Sequence, residues 1–160
     1  LMDQISITHS KQGLATLLDF SRMSIESFRM PEDWRFKLVD TGIRRSLSDT
    51  NYSSTEVNMQ TRRIHAEEES ARVRIALTSD ARALGSILNE SHESISDNIR
   101  SSTPEIDNMV KAVQNTAGVY GARLMGGGFG GMILALVEEE DAIPGELLVS
   151  SGPAFLQKTL

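Results

Sequence analysis

Residues 121–137 read Gly-Ala-Arg-Leu-Met-Gly-Gly-Gly-Phe-Gly-Gly-Met-Ile-Leu-Ala-Leu-Val, so two apolar runs are joined by a loop with five glycines in six residues. A tight hairpin needs only one or two glycines with positive φ. This excess of glycine favours a backbone without side chains, which lets a ligand approach its N–H groups. Phosphate is the usual ligand of such a loop. The stretch therefore predicts two strands around a glycine-rich, anion-contacting loop.

Other interpretations of the loop can be compared on what surrounds it. The spacing Gly126-x-Gly128-x-x-Gly131 fits the dinucleotide fingerprint, but that motif opens a helix, whereas Met132 begins a short apolar run typical of a strand. The phosphate-loop motif is excluded because no Gly-Lys-Ser/Thr follows. A glycine-rich hairpin without any ligand stays open as the alternative.

Two strands and a turn are predicted in the first quarter of the chain. Residues 13–20 are apolar, and residues 34–39 alternate, which predicts Trp34, Phe36 and Leu38 on a buried face with Arg35 and Lys37 on a wet one. The polar segment 21–33 between them suits a short strand with a turn. A last short strand is expected at residues 146–150.

Helices are predicted between these strands. Residues 56–77 contain no Gly or Pro and favour one long helix, or two helices broken near His65. Residues 102–105 open another helix with Thr103 as cap and Pro104 at the first helical position, and Gly118 ends it. A helix packed by one face is predicted from an apolar stripe formed by Leu84, Ile87, Leu88, Ser91, Ile95 and Ile99.

This order of strands, helices and hairpin predicts an α+β fold, with helices against one face of a mainly antiparallel sheet. The length of 160 residues favours a single domain over residues 1–160. The net charge of −6 argues against nucleic-acid or anionic-membrane partners. With no cysteine, no metal-ligand spacing among three histidines, no apolar run of membrane-spanning length and no signal peptide, we expect a cytoplasmic protein without a thiolate or histidine metal site.

The sequence of the loop and its flanks closely resembles the third signature motif of the galactokinase branch of the GHMP kinases, which use ATP and Mg²⁺. The resemblance implies a ferredoxin-like core. It implies cofactor contacts from Gly126, Gly127, Gly128, Gly130 and Gly131, with Gly127 and Gly128 also near the substrate. It also implies a small-molecule sugar as substrate, while the oligomeric state cannot be read from the sequence.

Asp3 lies in Leu-Met-Asp-Gln, which resembles the family segment that carries the catalytic aspartate. The resemblance implies that Asp3 is the base, or the electrostatic partner, of the sugar hydroxyl that attacks the γ-phosphate. Without the resemblance, an Asp this close to a chain end is more often a solvated side chain or a helix cap.

Residues 40–52, which end in Tyr52, are similar to a family stretch in which a strand leads to a sugar-contacting tyrosine. The resemblance implies that Tyr52 contacts the substrate. Without the resemblance, Tyr52 is interpreted as a partly buried tyrosine with a solvent-exposed hydroxyl. The pair Arg44-Arg45 is more often a solvated face than an anion clamp, and it is assigned no role.

The match covers most of the chain, but several family segments have no counterpart. The N-terminal half, which would supply a sugar-binding signature and most ligands of ATP and Mg²⁺, is absent, and the helix after the hairpin is shortened to residues around 141–145. The resemblance implies the C-terminal part of a kinase that phosphorylates the anomeric hydroxyl of galactose or a related sugar. We expect the 160-residue chain by itself to be inactive. A non-catalytic sugar sensor, or an interaction domain that keeps the kinase fold, is the alternative.

Overall fold

The computed structural model describes residues 2–44, 59–150 and 152–154. The chain divides into two compact units, one formed by residues 1–32 with 148–160 and the other by residues 33–147. The expected single domain over residues 1–160 stays a prediction.

The first unit contains a helix and a hairpin. Helix α1 spans Met2–His9, and strands β1 (Leu14–Asp19) and β2 (Ser24–Arg29) pair antiparallel. The connecting turn is closed by Asp19, whose carboxylate accepts hydrogen bonds from the Ser21 and Arg22 amides. The predicted strand at residues 13–20 and the short strand after it are confirmed.

The second unit is built on a four-stranded antiparallel sheet with the order β4-β5-β3-β6. Its strands are β3 (Arg35–Asp40), β4 (Val119–Leu124), β5 (Met132–Val137) and the two-residue β6 (Glu146–Leu147). The strands on either side of the glycine loop, β4 and β5, pair with each other as predicted. The last strand is shorter than the predicted 146–150, and residues 138–145 form turns and bends.

Three helices complete this unit: α2 (Met59–Ala76), α3 (Ala81–Ser94) and α4 (Pro104–Gln114). Helix α3 continues into a π turn over Ile95–Ile99. Helix α2 runs through position 65 without a break, which decides between the two predicted possibilities. Helix α4 starts as predicted, with the Thr103 hydroxyl accepting the Ile106 N–H at 3.3 Å and Pro104 at the first position.

The core of the second unit lies between α4 and one face of the sheet. It contains the buried residues Ile106, Val110, Ala122, Leu124, Ile133, Ala135, Val137 and Ile143. The α+β fold with helices against an antiparallel sheet is confirmed.

The predicted faces of β3 are confirmed at Trp34, just before the strand, which is buried, but they are wrong at Lys37. Lys37 lies opposite Ala135 of the core and is only 8% exposed, whereas Phe36 and Leu38 are half-buried. The aliphatic stem of a lysine can line a core if its ammonium reaches a polar group. Lys37 Nζ donates to the carbonyl of Glu140 at 2.8 Å, and Arg35 donates to that of Glu138 at 2.8 Å. Alternation alone could not reveal these carbonyls, because they belong to the bend that follows β5.

Helix α3 packs along β4, the edge strand of the sheet. The approach is close because glycines meet there: a Cβ added at Gly121 would lie 1.9 Å from the carbonyl oxygen of Gly85. The predicted stripe of α3 is confirmed in its buried members Leu84, Leu88, Ser91 and Ile95. The helix therefore covers a strand edge that would otherwise expose unpaired backbone groups.

Candidate functional site

The glycine loop, residues 125–131, adopts a backbone that side chains disfavour. The φ angles are 78° at Gly126, 87° at Gly128, 143° at Gly130 and 94° at Gly131. Phe129 also has a positive φ, of 59°. The density of glycine in the sequence is thus a conformational requirement, because residues with a Cβ rarely occupy this region.

Two of the glycines are required by contacts within the protein. A Cβ at Gly128 would lie 2.1 Å from the carbonyl oxygen of Ser101, and one at Gly130 would lie 2.6 Å from that of Ile43. A Cβ at Gly126 or Gly131 would meet nothing within 4 Å. The open side of the loop is therefore at Gly126 and Gly131, and the packed side is at Gly128 and Gly130.

Hydrogen bonds fix the loop at Phe129 and at Gly131. Phe129 N–H donates to Ser101 O at 2.7 Å, and Gly131 N–H donates to Ile43 O at 3.2 Å. Thr41 donates to Gly131 O twice, through its amide at 3.0 Å and its hydroxyl at 2.8 Å. The loop is thus held by the segment after β3 and by the segment before α4.

A cavity of about 280 Å³ opens beside the loop. Its walls are formed by Ile43, Arg44, Met125, Gly126, Gly127, Gly130 and Gly131. Within the described parts of the chain, the amide N–H groups of Gly126 and Gly130 have no hydrogen-bond partner. Backbone N–H groups that line a concave surface are donors suited to an anion.

Arg44 brings a positive charge to the same cavity. Its guanidinium forms two parallel hydrogen bonds with the Asp40 carboxylate, at 2.7 and 2.6 Å. These bonds, together with the Gly42 amide, hold the pKa of Asp40 well below its usual range. The sequence contains one signal for this ion pair. Asp40 stands four positions before Arg44, at the end of a strand.

The roles of Asp3 and Tyr52 stay predictions. Asp3 lies in the first turn of α1, where it is exposed, and it belongs to the first unit whereas the loop belongs to the second. Tyr52 lies outside the described residues. Of the five predicted glycines, Gly126, Gly127, Gly130 and Gly131 line the cavity, and Gly128 packs against Ser101.

A network of charged side chains anchors the strand that leads into the loop. Arg123 of β4 donates to Ser91 Oγ at 2.6 Å and to the Glu69 carboxylate at 3.2 Å. Arg72 donates to the other Glu69 oxygen at 2.7 Å. Burial raises the pKa of Glu69, but the Ser91 hydroxyl, Arg123 and Arg72 outweigh burial and leave that pKa below its usual value. Sequence reasoning missed this network because its members come from α2, α3 and β4.

The described residues contain neither a metal-binding cluster of His, Cys, Asp or Glu side chains nor a membrane-spanning helix. Among residues 2–44, 59–150 and 152–154, no group of three or more His, Cys, Asp or Glu side chains could hold a metal ion. No helix in these ranges has the length and apolar character to cross a membrane.

Comparison with known proteins identifies the family. Residues 72–144 match the model described as GHMP kinases C terminal. A galactokinase from Thermococcus kodakarensis is 31% identical over 170 aligned positions, which take in 86% of this chain and 48% of that protein. The chain contains a GHMP kinase C-terminal domain. It corresponds to the C-terminal portion of such kinases and spans about half the length of this galactokinase.

Solved GHMP kinases share the fold. The crystal structure of Lactococcus lactis galactokinase complexed with galactose superimposes with a TM-score of 0.73 at 21% identity, over 93% of this chain and 53% of that one. L. major mevalonate kinase in complex with R-mevalonate gives a TM-score of 0.57 at 22% identity, over 81% of this chain and 41% of that one. The predicted resemblance to the galactokinase branch, in its C-terminal portion, is thus confirmed.

Proposed function

We propose that this chain is part of a sugar kinase that transfers the γ-phosphoryl group of ATP to the anomeric hydroxyl of galactose or a related sugar. The observation that carries the proposal is the glycine loop, with its positive φ angles and its cavity, in a chain 31% identical to a galactokinase. The galactose bound in the L. lactis neighbour supports a sugar as substrate.

The glycine loop is assigned to the phosphates. The N–H groups of Gly126 and Gly130 offer donors at one cavity, and the guanidinium of Arg44, paired with Asp40, lies in its wall. Phosphoryl transfer depends mainly on positioning and on stabilising charge at the phosphate oxygens, which such donors supply. In this proposal the four glycines that line the cavity contact ATP, and Gly127 also lies near the substrate. The contacts predicted for Gly128 are not part of it, because Gly128 packs against Ser101.

Asp3 and Tyr52 are assigned to the sugar. Asp3 takes the proton of the anomeric hydroxyl while the hydroxyl oxygen bonds to the γ-phosphorus, and the bond from phosphorus to the β–γ bridging oxygen breaks to release ADP. Tyr52 contacts the sugar.

The described residues contain no group of three or more His, Cys, Asp or Glu side chains that could hold Mg²⁺ by themselves. The proposal therefore places its ligands elsewhere in the working kinase, and no step here depends on them. The cytoplasmic location stays a prediction.

Asp3→Asn tests the proposed chemistry in a polypeptide that contains residues 1–160 and phosphorylates galactose. Loss of a positioned acid–base group lowers rates by roughly 10²–10⁴-fold, so we expect kcat to fall by that factor with galactose binding retained. The measurement is galactose 1-phosphate formation at saturating ATP. Glu26→Gln, which removes one exposed carboxylate from β2 of the same unit, is the control and is expected to leave kcat unchanged. An active Asp3→Asn enzyme would contradict the assignment.

The isolated 160-residue chain is expected to show no ATP-dependent phosphorylation of galactose, since it spans 48% of the related galactokinase. Turnover by this polypeptide would overturn that expectation. Sugar binding without turnover in a full-length parent protein would instead favour the alternative of a non-catalytic sensor.

A further inference from the structure

Strand β4 has an outer edge whose backbone N–H groups are met by side chains of α3. Ala122 N–H donates to Asn89 Oδ1 at 2.9 Å, and Leu124 N–H donates to His92 Nδ1 at 3.4 Å. Asn89 and His92 are three residues apart and therefore lie on one face of the helix. The helix thus supplies acceptors to an edge strand.

His92 is buried at 6% exposure, and its ring has a defined protonation pattern. Because Nδ1 accepts from Leu124 N–H, the neutral ring must carry its proton on Nε2. Nε2 lies 3.3 Å from Asp107 Oδ1, too far off line for a hydrogen bond, and the other Asp107 oxygen accepts from Ser96 Oγ at 2.8 Å. The ring is therefore held between β4 and the first turn of α4.

The bonded partner of His92, Leu124, leads directly into the glycine loop. Leu124 is the last residue of β4, and the next amide, that of Met125, forms the last cross-strand bond before the glycines, to Met132 O at 2.9 Å. Asp107 lies in the first turn of α4, whose preceding segment contains Ser101, the acceptor of Phe129 N–H. His92 is thus bonded to the residue before the loop, and its ring lies beside the helix that follows the segment holding the middle of the loop.

We propose that His92 is a positioning residue for the glycine loop: the neutral ring fixes the end of β4 through Leu124 N–H, and protonation of Nδ1 releases that amide and loosens the loop. His92 touches no substrate in this scheme. The inference rests on the proposed function, in which the loop holds the phosphates of ATP. A loosened loop would hold these phosphates less well at acidic pH.

The charges around His92 favour different states of the ring. Burial lowers its pKa, Asp107 of α4 and Glu93 of its own helix raise it, and Arg123 of β4 lowers it. The balance lies below the ordinary value of 6.5, so the acceptor form persists at neutral pH. The transition is expected on the acidic side of that value.

The test is an NMR titration of the 160-residue chain from above to below pH 6.5, without ATP or sugar. We follow the ring nitrogens of His92 and the amides of Leu124, Gly126 and Phe129. The expected result is one midpoint, below pH 6.5, shared by the ring and these amides, with the amide of Ala135 in the core unchanged. Loop amides that stay unchanged while His92 titrates would overturn the inference.

Two variants sharpen the result. His92→Asn places an amide oxygen close to the position of Nδ1, so it keeps an acceptor that does not titrate, and the loop transition should disappear. His65→Asn is the matched control: His65 is half-buried in α2, bonded to Ser94 Oγ at 2.9 Å, and its loss should leave the loop transition in place. A transition that persists in His92→Asn, or is lost in His65→Asn, would overturn the proposal.

If His92→Asn does not fold, the wild-type titration still decides, because it compares midpoints within one unaltered chain. The titration also needs no catalysis. Absence of galactose phosphorylation in a full-length parent polypeptide, with a shared midpoint in this chain, would remove the proposed function. Phosphorylation by that parent with separate midpoints in this chain would remove only the role of His92.

Discussion

At Gly128, two constraints act on one residue. Its φ of 87° is disfavoured for any residue with a Cβ, and the added atom would lie 2.1 Å from Ser101 O. At Gly126 only the first constraint applies, since φ is 78° and nothing lies within 4 Å. A comparison of the two positions therefore separates the energetic cost of the backbone conformation from the cost of packing.

Gly126→Ala and Gly128→Ala test this difference. We expect Gly126→Ala to lower the free energy of unfolding by about 1–2 kcal/mol, the ordinary cost of a left-handed residue with a Cβ. Gly128→Ala should cost clearly more, because the main chain at Ser101 must also move. Urea unfolding of both variants measures this, and equal losses would contradict the packing assigned to Gly128.

The buried histidines make stability depend on pH. Burial is the largest cause that lowers the pKa of His92 and of His65, so the unfolded chain binds protons more readily than the native one. The contribution of the two histidines to the free energy of unfolding is fully present above pH 6.5. It is lost as the pH falls below that value toward the native pKa values. We expect Tm to decrease over this range and the decrease to be smaller in His92→Asn and in His65→Asn. If Tm depended on pH as steeply in both variants as in the wild type, the histidines would not be the origin of the effect.

At the scale of elements, the contact between α3 and β4 depends on glycines that meet across the interface. A Cβ at Gly85 would lie 2.3 Å from the Tyr120 carbonyl oxygen, although Gly85 has no positive φ. Sequence reasoning predicted the stripe of α3 but not the edge that it covers, because neither glycine signals a partner from its own neighbourhood.

Gly85→Ala isolates this contact. In an exposed helix position the change from Gly to Ala stabilises by roughly 0.5–1 kcal/mol. Here the added methyl group meets backbone, so we expect a net loss of about 1–3 kcal/mol, the usual cost of overpacking. Ser86→Ala, at the next and exposed position of α3, is the control and should be close to neutral. Thermal unfolding compares them, and a stabilised Gly85→Ala would refute the close approach.

The elements that could be predicted are those with local signals. The start of α4 follows from Thr103 and Pro104, and the β4–β5 hairpin follows from glycines between apolar runs. The buried side of Lys37 and the place of Arg44 at the cavity could not be predicted, because each depends on a segment distant in sequence. In the candidate site, the glycines were found from the sequence, whereas the assignments of Asp3 and Tyr52 stay predictions.

At the scale of the whole molecule, the two units differ in how they are stabilised. The second unit contains the buried core, and its sheet has four strands. Among the described residues of the first unit none is buried, and its sheet has two strands. A two-stranded sheet without a core has little independent stability.

Hydrogen exchange should reveal this difference. Amides of β1 and β2 are expected to exchange through low-energy opening, well before those of β4 and β5, which should approach the global free energy of unfolding. The comparison uses the hydrogen-bonded amides of each sheet in the intact chain. Equal protection of the two sheets would mean that the units open together.

The two carbonyl contacts of the glycine loop have a consequence for sequence variation. Ser101 and Ile43 each present a main-chain oxygen to Gly128 and Gly130, and any amino acid at position 43 or 101 has the same oxygen. The glycines themselves have no substitute. The two positions of each pair therefore differ in mutational tolerance. The partner position can change during evolution as far as its own packing permits. The glycine opposite it cannot, because the oxygen that it contacts is present whatever the side chain.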